Sequence, residues 1–468
     1  MPKTYRNIIT AITCTGLLLF GSCKKLVEVD PPVTNPVDAT VFERNSTAAA
    51  VLTGIYSRMV QEGIVTGSQS ISFLAGLSSD EFRNYSQNPM FIQFYTNSLT
   101  KTSIPFWGEA YQYIYTANAA LEGLSKSSGV TAEMKQQLMG EAYFIRGFFY
   151  FYLTNLFGDV PLHLVTDYRV TSAASRAATS QVYQQIISDL KEAQQMLTWD
   201  YRSADNKTSS ERARPNRAAA TALLSRVYLY VKDYANAEGE ATKLINDVAA
   251  YSLPSNLNEV FLMNSTEAIW QLSPANPQFN TFDAYYFILT AAPGFLQPLT
   301  ISTNLLNGFE ENDRRFSDWV NSFEDNGETY YYPYKYKVGA QNQPVTEYLM
   351  VLRLAEQYLI RAEAKAQQGN VTGALQDLDV IRNRAGLNNS TASDKTTLLR
   401  AIEHERLIEL FSEWGHRWLD LKRTGRADEV MSAVTTQKGG AWNSNWQLYP
   451  IPLNEIQNNP KISQNPGY

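Results

Sequence analysis

The sequence predicts a mainly α-helical protein in which about four helix pairs stack into a superhelix, with an irregular, partly β insertion subdomain. Apolar residues recur at helical spacing through residues 348–385 and through several earlier stretches. Residues 251–344 break this pattern with seven prolines, aromatic clusters and short β-like runs. With 44% hydrophobic residues, the 468-residue chain can bury one large core or two to three smaller ones.

The clearest helix pair lies in residues 348–386. The first predicted helix, residues 348–368, has an apolar stripe made of Ala355, Tyr358, Leu359, Ala362 and Ala366. The stripe of the second is made of Val371, Ala374, Leu375, Leu378 and Ile381. Gly369 and Asn370 suit the turn between the two helices, and Gly386 closes the second. This spacing resembles that of 34-residue tetratricopeptide repeats, so the predicted fold is a tetratricopeptide-like helical superhelix.

Further helices are predicted along the rest of the chain. They cover residues 46–63, 107–124, 131–156, 181–197, 217–231, 234–248 and 395–414, and Ser46 is the predicted N-cap of the first. Residues 67–99 are polar and aromatic without a sustained helical period, which predicts a long surface loop region. Residues 438–468, rich in Gly, Asn, Pro and Trp, are predicted to be an extended tail.

The N-terminus has the pattern of an exported lipoprotein. Lys3 and Arg6 precede an apolar run, residues 8–20, that is too short to span a bilayer. The run stops at Gly21-Ser22-Cys23, so residues 1–22 are a predicted signal peptide and Cys23 is the predicted site of lipidation. The alternative is a secreted protein with a chance cysteine near its signal.

The rest of the chain divides into four predicted regions. Residues 23–40 hold three prolines and no periodicity, which predicts a flexible tether. An N-terminal helical region then covers 41–250, the ligand-loop insertion covers 251–344, and a C-terminal region covers 345–468.

Several classes of function find no support in the sequence. A net charge of −6, without a basic run beyond Lys24-Lys25, gives no electrostatic footprint for nucleic acid. The pair His404-Glu405 lacks the second histidine of a zinc hydrolase, and there is no phosphate loop or nucleophile elbow. We therefore predict no catalytic residue, no cofactor and no metal ion. Glycoside hydrolysis needs only two carboxylates at a set separation, so the sequence does not exclude it.

Two charged stretches have a structural interpretation. Glu403 and Arg406 lie three residues apart near an apolar stripe, where an ion pair between them can be partly buried. Arg417 and Asp420 have the same interpretation. The acidic run around residue 310 lacks the spaced oxygen ligands of a calcium loop.

Binding aromatics are the best functional candidates. A sugar ring packs its C–H face on a flat aromatic side chain and offers hydroxyls to Asp, Asn or Arg, so a glycan site needs both kinds. The loop region and the insertion provide this mixture. The predicted ligand-binding residues are Asp80, Glu81, Arg83, Asn84, Tyr85, Phe94, Tyr95, Phe282, Tyr285 and Tyr286.

Five motifs, in this order along the chain, resemble the SusD/RagB family. They are the lipoprotein start that ends at Cys23, Gly158-Asp-Val-Pro-Leu, the run LRLAEQYLIRAEA from Leu352, ERLIEL from Glu405 with GHRWLDLKR from Gly415, and Tyr449-Pro-Ile-Pro with the terminal Gln464-Asn-Pro-Gly-Tyr. The resemblance covers essentially the whole chain. It implies a lipid-anchored protein of the outer membrane, facing the exterior, that binds an oligomeric nutrient, usually a glycan. It also implies a SusC-like TonB-dependent transporter as partner, and no catalysis.

Two other functions stay open on the sequence alone. The same fold can take a peptide or another polymer as its ligand. A tetratricopeptide-type scaffold can instead hold a protein partner in its concave face, with no small ligand.

Overall fold

The computed structural model describes residues 39–102 and 104–468. The predicted signal peptide, Cys23 and nearly all of the predicted tether lie outside the described residues. Within the described residues the fold is mainly helical, which confirms the predicted class. In this part of the chain we find no helix with the length and apolar character needed to cross a membrane.

Eighteen α-helices form the described part of the chain. They are α1 (Asn45–Met59), α2 (Ile71–Ser78), α3 (Pro89–Tyr95), α4 (Phe106–Lys126), α5 (Ala132–Phe157), α6 (Tyr168–Thr171), α7 (Thr179–Met196), α8 (Arg217–Tyr230), α9 (Tyr234–Ile245), α10 (Phe282–Phe287), α11 (Thr303–Leu306), α12 (Arg314–Trp319), α13 (Leu354–Gln367), α14 (Val371–Arg384), α15 (Lys395–Leu410), α16 (His416–Arg423), α17 (Ala427–Gln437) and α18 (Leu453–Asn458).

Eight short strands form four two-stranded antiparallel sheets. They are β1 (Phe82–Asn84), β2 (Val160–Pro161), β3 (Arg176–Ala177), β4 (Ala268–Leu272), β5 (Leu299–Ile301), β6 (Val320–Asp325), β7 (Glu328–Pro333) and β8 (Leu349–Arg353). The pairs are β1 with β5, β2 with β3, β4 with β8, and β6 with β7. Four of the strands that form these pairs, β4 to β7, lie in the predicted insertion, and two of them make the β6–β7 hairpin around Asn326 and Gly327.

The long helices pack on one another in succession. Helix α5 packs between α4 and α7, α8 packs between α7 and α9, and α13 contacts α9, α14 and α15. In the α13–α14 hairpin the predicted stripes face each other, with Ala362 and Ala374 buried where the two backbones approach. This arrangement is consistent with the helix-pair repeats that the sequence predicts.

The prediction of a long surface loop over residues 67–99 is wrong. That segment contains α2, β1 and α3, and all eight residues of α2 are buried. A helix covered on every side carries no alternation of apolar and polar faces, so its sequence, ISFLAGLS, shows no helical period. Ser70 caps α2 by accepting a hydrogen bond from the backbone N–H of Phe73 at 3.1 Å.

Three other boundaries differ from the predictions. Residues 349–353 form β8 rather than the start of a helix, because they pair with β4, which lies about 80 residues earlier in the chain. Ser46 lies inside α1, whose N-cap position is Arg44. The predicted extended tail also contains α18 and a short 3₁₀ helix, Ser444–Gln447.

Buried ion pairs tie the helices to one another and to the insertion. Arg226 of α8 donates two hydrogen bonds of 2.6 Å to the carboxylate of Glu356 in α13. Arg353, at the end of β8, contacts three carboxylates that come from other elements, Glu267, Glu409 and Glu413. Charges this deep in a protein are tolerated only when they are paired and hydrogen-bonded, so these contacts fix how the elements dock.

The predicted pairing of Glu403 with Arg406 is wrong in its partners, although both residues are buried in ion pairs. Arg406 binds Asp420, with Nε 2.7 Å from the carboxylate. Glu403 instead accepts from Arg417 and Arg426, which follow it on other elements. Residues three apart on α15 are neighbours on the helix surface, but partners from α16 offer better geometry inside the core.

Candidate functional site

Asp80 and Glu81 lie directly before β1, and the structure buries both, contrary to the prediction of an exposed loop. Asp80 accepts hydrogen bonds of 2.7 and 2.8 Å from the Arg417 guanidinium. Burial raises the pKa of Asp80, but the Arg417 charge and its hydrogen bonds outweigh this and the net pKa is lowered. Glu81 accepts from the Ser412 N–H at 3.0 Å, and burial raises its pKa to about 7. Both carboxylates therefore hold the base of β1.

Phe94, another predicted ligand-binding residue, is also buried, contrary to the prediction of an exposed loop. Its ring packs edge-on against Phe106 and Tyr449, with centroid distances of 5.9 and 5.4 Å, and it is buried. Tyr95, the next residue, is partly exposed, and the Lys438 ammonium lies 4.9 Å from its ring centroid. Adjacent residues of a helix point in different directions, so only one of these two rings can reach the surface.

Arg83, Asn84 and Tyr85 do reach the surface, where Tyr330 of β7 joins them. We call these four residues the Tyr85 group. The Tyr85 and Tyr330 rings meet edge-on with centroids 5.7 Å apart, and the Arg83 guanidinium lies 4.9 Å from the Tyr85 centroid. Sequence reasoning missed Tyr330, whose signal was a tyrosine run on a strand directly after the Asn-Gly turn of a hairpin.

The aromatic residues of the insertion form a second set around α10. Phe279 and Phe282 stack with centroids 4.6 Å apart, and Tyr285 packs edge-on against Phe279 at 5.1 Å and against Tyr286 at 5.2 Å. We call these four residues the Phe282 group. All four are partly exposed.

Hydrogen bonds of an inward-facing side chain and of the N-cap hold α10 in place, and this fixes the direction of its rings. Its buried Asp283 accepts from the Thr66 hydroxyl at 2.7 Å, and Thr281 caps the helix by accepting from the Ala284 N–H at 3.0 Å. Burial raises the pKa of Asp283 to about 6. With Asp283 facing inward, Tyr285 lies on the outer side of the helix and Phe282 at its flank. Tyr286 packs partly against the buried Phe73.

A loop over residues 288–298 joins the two groups. The Gln297 side chain donates to the Tyr285 carbonyl at 3.1 Å, and the carbonyl of the next residue, Pro298, accepts from the Tyr85 N–H at 2.8 Å. Phe295 at the loop tip is 99% exposed. Sequence reasoning missed Phe295; its signal was an aromatic residue directly after a Pro-Gly turn. The Tyr85 group, the Phe282 group and Phe295 together are the ring surface.

The ring surface combines flat apolar faces with polar groups at its edge. Arg83 and Asn84 offer donors, and the Tyr330 hydroxyl donates to Glu328 at the end of the hairpin. This combination suits a ligand with alternating C–H faces and hydroxyls. Among the described residues, no three His, Cys, Asp or Glu side chains come together in a way that could hold a metal ion.

Two family profiles match the chain. One, described as "Starch-binding associating with outer membrane", matches residues 27–229. The other, described as "SusD family", matches residues 309–468. Among curated relatives, SusD-like protein P2 of Formosa agariphila is 27% identical over 425 aligned residues, which cover 78% of this chain and 80% of that protein.

Solved structures share the fold. A SusD superfamily protein from Bacteroides vulgatus aligns with a TM-score of 0.78 at 20% identity, over 91% of this chain and 100% of that chain. A laminarin-binding SusD-like protein aligns with a TM-score of 0.74 at 25% identity, over 91% of this chain and 100% of that chain. The chain belongs to the SusD/RagB family of glycan-binding proteins associated with the outer membrane, as its motifs indicated.

Proposed function

We propose that the ring surface captures an oligosaccharide without altering it and that the chain hands this ligand to a SusC-like TonB-dependent transporter. The observation that carries the proposal is the arrangement of two aromatic groups joined through Gln297 and Pro298. Rings held on separate elements keep their directions before a ligand arrives, so little conformational entropy is lost on binding. An extended sugar chain can contact several rings at once.

The choice of a glycan has support from outside the ring surface. One matching profile describes starch binding, and one similar structure is of a laminarin-binding protein, so starch and laminarin are the first ligands to test. Lipidation at Cys23, orientation toward the exterior and delivery to a transporter belong to the same proposal and rest on the family and the N-terminal sequence. A peptide or another polymer is the alternative ligand.

The test is retention of the purified chain in native gels that contain starch, laminarin or other polysaccharides. Tyr85→Ala and Tyr285→Ala should each weaken binding about threefold to tenfold, as expected for the loss of one aromatic contact of roughly 0.5–1.5 kcal/mol. Phe295→Ala should act in the same direction. Tyr168→Ala is the matched control, because Tyr168 is an exposed tyrosine on α6, outside the ring surface.

Two results would overturn the proposal. Wild-type retention of both tyrosine variants, in a protein that binds a glycan, would place the site elsewhere. Release of reducing ends from the same polysaccharides would show hydrolysis and remove the assignment as a binding protein alone.

A further inference from the structure

A groove separate from the ring surface lies where five helices begin or end. It has a volume of about 340 Å³ and is formed by the α8–α9 turn, the end of α13, the start of α15 and the end of α16. Its lining contains five cationic side chains and two carboxylates, Glu363 and Glu403, although the chain as a whole carries a net charge of −6. The cations are Lys232, Lys395, Arg400, Arg423 and Arg426. We call this feature the cationic groove.

Two of the five cations are fully paired within the fold. Arg423 donates to both carboxylate oxygens of Glu363 at 2.5 and 2.7 Å. Arg426 donates to both oxygens of Glu429 at 3.0 and 2.7 Å, and also to Glu403. These contacts engage both carboxylates of the lining, and neither carboxylate pairs with Lys232 or Lys395.

The other three cations are poorly paired. Within residues 39–102 and 104–468, no carboxylate lies at ion-pair distance from the ammonium of Lys232 or of Lys395, and Lys395 contacts only the Gln367 carbonyl, at 2.8 Å. Arg400 stands 3.7 Å from Glu403 and 3.5 Å from Glu429, beyond good hydrogen-bond distance. Two unpaired lysines and one loosely paired arginine, on two separate elements, therefore line one groove.

The backbone conformation of Lys232 independently indicates that its side chain has a role beyond the turn. Lys232 has φ 63°, in the left-handed region that favours glycine, and it follows α8 at the position that Gly369 (φ 86°) occupies after α13. The two turns make the same hydrogen bonds. The N–H of each of these residues binds the carbonyl three residues back, and the next N–H binds the carbonyl five residues before itself. The first hairpin thus keeps a lysine where glycine would be less strained.

We propose that the cationic groove binds an acidic peptide segment of a protein partner. Lys232, Lys395 and Arg400 supply the charge for two or more carboxylates, and the partly exposed Leu399 lines the groove beside them and can pack against an intervening side chain. All three cationic side chains are exposed, so an extended chain can reach them. This role explains why a lysine is kept at a strained backbone position, because its ammonium binds the ligand and is not needed by the turn.

The experiment uses the purified full-length chain and a fluorescent acetylated hexaglutamate peptide, followed by anisotropy at about 50 mM salt, where surface charges are weakly screened. Binding should occur and should weaken as salt is added. Lys232→Gly should lower the affinity about threefold, as for one exposed charge pair, without lowering the Tm, because glycine relieves the left-handed backbone. Lys395→Gln and Arg400→Gln should each have an effect of similar size.

Lys191→Gln is the matched control, because Lys191 is an exposed lysine on α7, outside the groove. Wild-type affinity of Lys232→Gly would overturn the proposal, as would an equal loss in Lys191→Gln. Competition by citrate as strong as by the unlabelled peptide would reassign the groove to a small anion and also overturn it. All these variants should keep wild-type retention on the polysaccharide gels, so failure here is distinct from failure of the proposed glycan site.

Discussion

Asp80→Asn should destabilise the protein while leaving its glycan affinity unchanged. The substitution keeps the size of the side chain but removes the charge, and it places an amide donor against the Arg417 guanidinium. Asp80 is 6% exposed and Arg417 is 8% exposed, so water does not replace the lost partner. If Asp80 instead contacted the ligand, the loss would appear in affinity rather than in stability.

The expected magnitude follows from the contacts that are lost. Breaking a buried ion pair by removing one partner costs about 3–5 kcal/mol. Arg417 keeps a 3.1 Å hydrogen bond to Glu403, which places the cost near the lower end, at about 3 kcal/mol. With an unfolding entropy of roughly 0.9 kcal/mol/K for a domain of about 430 residues, the Tm should fall by about 3 °C.

The pH dependence of the free energy of unfolding gives a second test of the Asp80–Arg417 pair. Because the folded pKa of Asp80 is lowered, its contribution to stability is present above the unfolded pKa of about 3.9 and is lost as the pH falls through the folded pKa. The stability difference between wild type and Asp80→Asn should therefore be present at neutral pH. It should shrink as the pH falls below about 4.

Urea unfolding followed by tryptophan fluorescence measures the stability, and polysaccharide gels run well below the Tm measure the affinity of the folded variant. Arg417→Met and the double variant complete a double-mutant cycle, in which we expect a coupling energy of about 2 kcal/mol. An affinity loss above about fivefold with unchanged stability would refute the structural role of Asp80. If the two single substitutions change the free energy of unfolding by amounts that are strictly additive in the double variant, the pairing of Asp80 with Arg417 is refuted.

Two further predictions concern the support of β1. Burial raises the pKa of Glu81 to about 7, so the stability that depends on its protonated form is present below about pH 4.5 and is lost as the pH rises to 7. Glu81→Gln should remove this pH dependence. At pH 8 it should raise the free energy of unfolding, measured in urea, by up to about 3 kcal/mol. A Gly76→Ala methyl would lie 2.3 Å from the Phe82 ring and should cost about 1–3 kcal/mol and weaken polysaccharide retention, because Phe82 opens β1. Gly54→Ala, where the methyl meets nothing within 4 Å, should instead stabilise the protein by about 0.5–1 kcal/mol. A flat pH profile in wild type, or equal behaviour of the two glycine variants, would contradict these two predictions respectively.

The helices with one exposed side were predictable from the sequence. The α13–α14 hairpin shows its two stripes and its turn residues in the printed order of the chain, and the structure buries both stripes against each other. Helix α2 was not predictable by the same method, since its eight residues are all buried and no polar face marks its period. Strand β8 was missed because its partner β4 lies far away in the chain.

The ring surface was predictable only in part. The mixture of aromatic and polar residues directed attention to Tyr85 and Tyr285, which the structure places on the surface. The same mixture also led to the prediction of Asp80 as a binding residue. Asp80 is instead paired with Arg417, which lies 337 positions later in the chain. A carboxylate in a polar stretch looks exposed until its partner is known, so the sequence alone could not separate the two cases.

The sequence by itself determined the helical class, the family and the kind of side chains that a glycan surface needs, because periodicity and short motifs are local properties of the chain. Only the tertiary structure decided which of those side chains face water and which turn lysine lines a groove. Burial and charge pairing depend on residues hundreds of positions apart, and the energy that separates a binding residue from a structural one lies in those distant contacts.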